Sequence, residues 1–158
     1  MAESAGQLTK TDTMDGDQIR RRLYYRHLEK IVKASQSLLN LGSGTSFVFE
    51  ELCHQWNPAL QIVSADLSKP LFKPDYVNAF HSVNVSHSLS LPYKNFDLVT
   101  AFEVIEHVDR TDELIRNASN HCRPGGIIAV SFPNLASIFC RFELLLGYQP
   151  HILEVSHE

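Results

Sequence analysis

Two glycines at positions 42 and 44 sit in the run Leu38-Leu39-Asn40-Leu41-Gly42-Ser43-Gly44-Thr45-Ser46, after an apolar stretch and before a helical pattern. Glycine at such a corner allows backbone angles and a close ligand approach that a Cβ forbids, and the helix start beyond it offers unpaired N–H groups and a positive dipole end. That chemistry suits a nucleoside-bearing cofactor. About twenty residues further on, Gln61-Ile62-Val63-Ser64-Ala65-Asp66-Leu67 reads as a second strand ending in an acid, the offset at which a carboxylate accepts two hydrogen bonds from a ribose cis-diol. A third group is formed by Glu103, Glu106 and His107, whose i, i+3, i+4 spacing shares one face if a helix starts there. Glu103 can line a cofactor pocket, and His107 with Glu106 can take or orient a proton on a nucleophile. The plainer reading has Glu106 complementing a helix start and His107 packing on the next turn. No further Cys or His stands at ligand spacing nearby, so the three do not read as a metal site.

These groups need strands and helices to hold them. The run Asn95 to Val108 reads as an apolar strand with an acidic end, and Arg123-Pro124-Gly125-Gly126 turns into a strand from Ile127 to Phe132, closed by Pro133-Asn134. Ala79 to Val85 supplies one more strand. Ile19, Leu23, Tyr24, Leu28, Ile31 and Val32 follow helical spacing over Gln18–Lys33, so an amphipathic helix precedes the first strand, with one of Tyr24 and Tyr25 packed inward. Its Arg20-Arg21-Arg22 run either steers an anionic substrate or headgroup or is a solvated face. Phe47, Val48, Leu52 and Trp56 give a helix face against the sheet, stopped by Asn57-Pro58, and Asp112–Cys122 gives another with Leu114, Ile115 and Ala118 inward. Asn134 either hydrogen-bonds a substrate or caps a helix from Ala136 to Leu146. In that helix Ile138, Phe139, Phe142, Leu145 and Leu146 are expected in core or lid packing, and Gly147 ends it.

Taken in order, the glycine turn, the acid at 66, the run Glu103-Val104-Ile105-Glu106-His107-Val108 and the Pro124-Gly125-Gly126 turn resemble the class I S-adenosylmethionine-dependent methyltransferases, from about Ser37 to the C-terminus. The resemblance is to the small-molecule methyltransferase domains whose fourth strand ends in an EVIEHV-like run. It implies an α/β, Rossmann-like, doubly wound and mostly parallel sheet in the order 3-2-1-4-5. It also implies S-adenosyl-L-methionine as cofactor, with Asn40, Gly42, Ser43, Gly44, Asp66, Leu67, Ser86, His87, Phe102 and Glu103 around it. Tyr24 and Asn134 fall on the acceptor side, and Glu106 and His107 are the candidate catalytic pair. Methyl transfer would be an in-line displacement onto a small-molecule acceptor, such as a quinone precursor or a lipid-like molecule.

Three positions depart from the family's pattern. Its usual acid before the first glycine is Asn40, its third glycine is Ser46, and the adenine-site acid ahead of a Leu-Pro pair is replaced around Leu91-Pro92 by Ser86 and His87. Asn40 keeps a hydrogen-bonding head and loses the charge that attracts a sulfonium. A complete fold of the family also adds a sixth and a seventh strand, and neither reads after Pro150. The expectation is therefore a C-terminally incomplete sheet, with a second copy or another partner over its open edge. These departures support a rival reading, a catalytically weak or inactive methyltransferase-like binding module. A nicotinamide-dependent oxidoreductase fits less well, because its fingerprint needs glycine where Phe47 stands.

Size and composition set the outer limits. The chain's 158 residues, 44% of them hydrophobic, suffice for one core, read as a single domain over 18–158 behind a flexible polar tail at 1–17. A formal charge of -4 argues against a general nucleic-acid grip. Three cysteines without CxxC spacing, Cys53, Cys122 and Cys140, read as free thiols of a reducing compartment. Neither a secretory leader nor an apolar run of about 20 residues is present, so a cytoplasmic protein without a transmembrane segment is expected.

Overall fold

A computed structural model describes residues 23–134 and 136–148. The expected tail, the start of the first helix with its three arginines, and the chain's end at His157-Glu158 lie outside the described residues. Five parallel strands, β1 (Ser37–Leu41), β2 (Gln61–Asp66), β3 (Ala79–Ser82), β4 (Phe96–Phe102) and β5 (Cys122–Ser131), form one sheet in the order β3-β2-β1-β4-β5. Around it lie the helices α1 (Glu29–Ala34), α2 (Val48–Trp56), α3 (Thr111–His121) and α4 (Ile138–Leu145). This is the doubly wound, Rossmann-like order expected from the sequence.

A parallel sheet covered on both faces needs strands that are apolar on both faces. In β1, Leu38, Leu39 and Leu41 are all fully buried. Their alternation divides the core. Leu38, Ile62 and Leu98 pack with Phe49 and Cys53 of α2 and Val32 of α1, whereas Leu39, Val63 and Val99 pack with Leu114 and Ala118 of α3. The chain order reverses between β1 and β4, so the crevice at their carboxyl ends is the topological switch point where such sheets bind ligands.

Several boundaries differ from the sequence reading. β3 stops at Ser82, three residues before Val85. α2 begins at Val48 because Phe47 takes a left-handed conformation with φ 51°, so Ser46 lies in the turn and not in a helix. Its buried face is Phe49, Glu50, Leu52 and Cys53, with Val48 and Trp56 only half-buried. The first helix is broken by a 3-10 turn at Arg26–Leu28. In that turn residues three apart share a face, which lets Tyr25, Leu28 and Ile31 all pack on the α1/α2 side of the core. In α3 the inward positions are Leu114, Asn117, Ala118 and His121, while Ile115, one step around the helix, is exposed. Pairing in the last strand jumps from Phe96 opposite Cys122 to Leu98 opposite Ile127, so residues 123–126 loop out of the ladder. α4 is capped by Ser137, whose hydroxyl accepts the Cys140 N–H at 3.3 Å, and Asn134 is not its cap. Ile138, Phe142, Leu145 and Leu146 are exposed at 65%, 58%, 80% and 70%, so the core packing expected of them is not found.

The amino edge of the sheet is held by Asp97. Its carboxylate accepts the Gln36 N–H at 2.7 Å, the Ser37 N–H at 3.0 Å and the Arg123 Nε–H at 2.6 Å. The backbone bond from Gln36, with Arg123 next, holds its pKa below the ordinary carboxylate value. A depressed folded-state pKa contributes stability above the unfolded value of about 4, lost as pH falls through the folded one. Asp97→Asn should therefore lower the melting temperature at neutral pH, and the gap to wild type should close in acid. Melting curves across that range check this; a gap independent of pH would exclude the carboxylate charge as its cause.

Candidate functional site

Four strand ends and one helix converge at the crevice. β1 runs into the glycine turn, where the Gly42 and Ser43 N–H groups donate to the Ala65 carbonyl at 2.7 and 3.3 Å, tying the turn to the end of β2. Gly42 has φ 73°, and a Cβ there would stand 2.2 Å from Val104 Cγ2, so the residues after β4 press directly on the turn. Gly44, with φ 65°, differs: among the described residues nothing lies within 4 Å of the place its Cβ would take. Its N–H donates to Asp66 Oδ2 at 2.8 Å, while Asp66 Oδ1 accepts from the Ser68 N–H at 2.8 Å. Glycine turn and acid thus meet across one hydrogen bond. Each carboxylate oxygen retains a second lone pair for a further donor. Leu67 beside it is 64% exposed, and Ser43 turns its hydroxyl onto the Gly44 carbonyl.

On the β4/β5 side, Glu103 follows the last residue of β4 in a left-handed conformation with φ 54°. Its Oε1 accepts from the Tyr24 hydroxyl at 2.8 Å and from Ser131 Oγ at 2.7 Å, and the Tyr24 hydroxyl also reaches Ser131 Oγ at 3.0 Å. Burial raises the Tyr24 phenol above its ordinary pKa; the Ser131 bond opposes this and Glu103 adds to it, so Tyr24 stays a proton donor at neutral pH. Tyr25 is the tyrosine that turns inward, its ring 4.8 Å from Phe49 and 5.4 Å from Phe102. Phe102 packs against the same Phe49 at 4.9 Å.

Glu106 and His107 lie in a 3-10 turn, Ile105–His107, and not on an α-helical face, because Glu103 breaks the backbone before it. Their carboxylate and imidazole are 3.9 Å apart, with Glu106 the more enclosed side chain. Its Oε2 is buried without a hydrogen-bond partner among the described residues. Ser86 is buried, and both its N–H and its hydroxyl bond Asn84 Oδ1, at 2.9 and 2.7 Å; His87 is exposed. Asn134 is exposed, and its Oδ1 accepts the Ala136 N–H at 3.0 Å, closing a local turn.

Three residues of this region escaped the sequence reading. Ser131 closes the triangle with Tyr24 and Glu103. Asn117 of α3 donates to the Val85 and His87 carbonyls at 2.9 and 2.7 Å and accepts the Leu89 N–H at 3.0 Å, pinning the loop that carries Ser86. Glu50 of α2 is fully buried beneath the glycine turn. Nothing in a helical Glu or Asn marks it as inward, but Glu50 does fall between Phe49 and Leu52 on the buried side.

A Rossmann-like sheet with a glycine turn, a second-strand acid and an acidic fourth-strand end at its switch point defines a nucleoside-cofactor domain. A protein-family profile described as a methyltransferase domain matches residues 17–151, and the chain belongs to that family. No curated protein matches. Solved structures of similar fold include the plantazolicin methyltransferase BpumL, in complex with a monoazolic desmethylPZN analogue and SAH, at 15% identity and TM-score 0.61, over 88% of this chain and 56% of that one. Another is the sugar N-methyltransferase KedS8 from Streptoalloteichus sp., at 15% identity and TM-score 0.56, over 87% of this chain and 62% of that one. Coclaurine N-methyltransferase bound to N-methylheliamine and SAH matches at 18% identity and TM-score 0.55, over 76% of this chain and 38% of that one. The chain thus spans between 38% and 62% of these three proteins' lengths.

Proposed function

We propose that this chain binds S-adenosyl-L-methionine across the carboxyl edge of its sheet and methylates a small-molecule acceptor. The observation that carries the reading is the meeting of Gly44 and Asp66 at 2.8 Å beside open space where any other residue would place a Cβ. In this reading a ribose takes that space, with Asp66 accepting from its hydroxyls. Gly42, Ser43 and Gly44 bring backbone close to the ligand, Leu67 and Phe102 flank it, and Ser86 and His87 take the adenine side. Asn40 and Glu103 lie toward the methionyl end. When bound, the cofactor supplies an already activated methyl group, so the chain's own task is to align an acceptor and exclude water.

Tyr24 closes this side by holding Glu103 and Ser131, and an entering acceptor would take over one of those hydrogen bonds. Glu106, with one buried oxygen unpaired, and His107 beside it are the groups available to orient or accept a proton. Asn134 extends the acceptor side. The outer edge of β5, where Ile127 and Ile128 are 41% and 40% exposed, is covered by a partner in this reading, a second copy being the simplest. Among the described residues no helix is long and apolar enough to cross a membrane. A cytoplasmic place, a single domain over 18–158 and the absence of a nucleic-acid partner belong to the same proposal.

A second reading, a binding module without turnover, is favoured by the Ser86 hydroxyl, which already bonds Asn84. Calorimetric titration with S-adenosylmethionine and with NAD tests both. Micromolar binding of the first alone is expected; silence toward both would leave the module, and preference for NAD would overturn the cofactor assignment.

A further inference from the structure

A carboxyl group lies in the core directly beneath the proposed cofactor site. Glu50, in the first turn of α2, has no solvent exposure. Its Oε1 accepts from Asn40 Nδ2 at 2.8 Å and from Ser64 Oγ at 2.7 Å, and Asn40 Oδ1 in turn accepts from Thr100 Oγ1 at 2.9 Å. Asn40 is the register partner of both Ser64 and Thr100, so these three form one polar rung across the central strands β2, β1 and β4. With a period of two, the next residues on that face are Asp66 at the end of β2 and Phe102 at the end of β4, while β1 leaves the ladder after Leu41 into the turn at Gly42. Glu50 Oε2 is buried with no hydrogen-bond partner among the described residues.

A buried carboxylate is strongly disfavoured unless something offsets the desolvation of its charge. Two neutral donors on one oxygen do so only in part. Among the described residues, the titratable groups whose charge bears on it are Asp66, Cys53 and Tyr76, none of them cationic.

We propose that Glu50 is a positioning residue for the cationic end of the cofactor, its carboxyl fixing Asn40 beneath the glycine turn and supplying from helix α2 the negative charge that β1 lacks. This rests on the cofactor reading above and adds to it the source of charge. Burial raises the Glu50 pKa, the bonds from Asn40 and Ser64 oppose this, and Asp66 raises it further. A sulfonium arriving overhead favours the ionised form and draws the Glu50 pKa back down, so S-adenosylmethionine affinity is linked to the titration of Glu50, whereas that of the neutral thioether S-adenosylhomocysteine is not.

Titration calorimetry of the intact chain with both ligands, in buffers of different ionisation heat, reads this directly. Wild type should release protons with S-adenosylmethionine and fewer with S-adenosylhomocysteine. Glu50→Gln should abolish the difference and weaken S-adenosylmethionine about tenfold, equivalent to about 1.4 kcal/mol, with S-adenosylhomocysteine nearly unchanged. Asn40→Asp combined with Glu50→Gln, which returns the acid to the strand, should restore the preference. Equal loss of both ligands, or no change in either, would overturn the proposal. If Glu50→Gln does not fold, the wild-type pH profile decides: affinity for S-adenosylmethionine should rise with pH relative to S-adenosylhomocysteine, and parallel profiles would refute it. Wild type that binds neither ligand removes the cofactor reading itself, and this inference with it.

Discussion

Asp66→Ala should weaken S-adenosylmethionine binding about a hundredfold, or about 2.7 kcal/mol, the largest binding effect of any single side chain here. Two losses combine. The ribose hydroxyls lose a charged acceptor, and the Gly44 N–H, now held at 2.8 Å, loses its tether, so the turn is no longer fixed for the ligand. Asp66→Asn separates them. The amide keeps one acceptor oxygen and turns an NH2 toward the other donor, so a loss of about tenfold is expected, with the fold intact. Calorimetry supplies both affinities, and thermal melts confirm folding. Wild-type affinity in Asp66→Ala would remove this residue from the site and with it the geometric basis of the cofactor assignment.

Gly42→Ala and Gly44→Ala should separate along different axes. At Gly42 the new Cβ meets Val104 Cγ2 at 2.2 Å, and Val104 is buried and β-branched, with little room to turn away. Overpacking of about 1–3 kcal/mol adds to a left-handed backbone strain of about 1–2 kcal/mol. Gly42→Ala is thus a folding defect of about 2–5 kcal/mol, visible in urea denaturation before any ligand is added. Gly44→Ala meets no atom of the described residues, so its stability loss stops at the backbone strain, about 1–2 kcal/mol. Its methyl instead enters the space assigned to the ribose and should lower affinity more than stability. Equal denaturation midpoints for the two variants would contradict the packing of Val104 on the turn.

The sheet order and the Gly42–Gly44–Asp66 corner were legible because they follow local rules. Buried apolar runs mark central parallel strands, and a glycine turn followed by an acid is a statement about backbone angles and strand length. Glu50 and Asn117 were not legible, because a polar residue on an amphipathic helix reads as outward until its partners, Asn40 and Ser64 or the Val85–Leu89 backbone, are placed by the whole fold. Ile115 failed for the complementary reason: Asn117 and His121 occupy the inward face that an apolar count assigns to it. The helical spacing of Glu103, Glu106 and His107 misled because the left-handed Glu103 is followed by a 3-10 turn, and spacing alone does not report a change of helix type.

Asn117 has one more effect. By fastening two carbonyls and one N–H of the Val85–Leu89 segment at once, it surrenders that segment's conformational freedom during folding. In the proposed cofactor reading, a ligand reaching Ser86 and His87 meets backbone already arranged, so its capture incurs no ordering entropy for that segment. Encounter, rather than rearrangement of that rim, would set the speed of association on this side of the crevice.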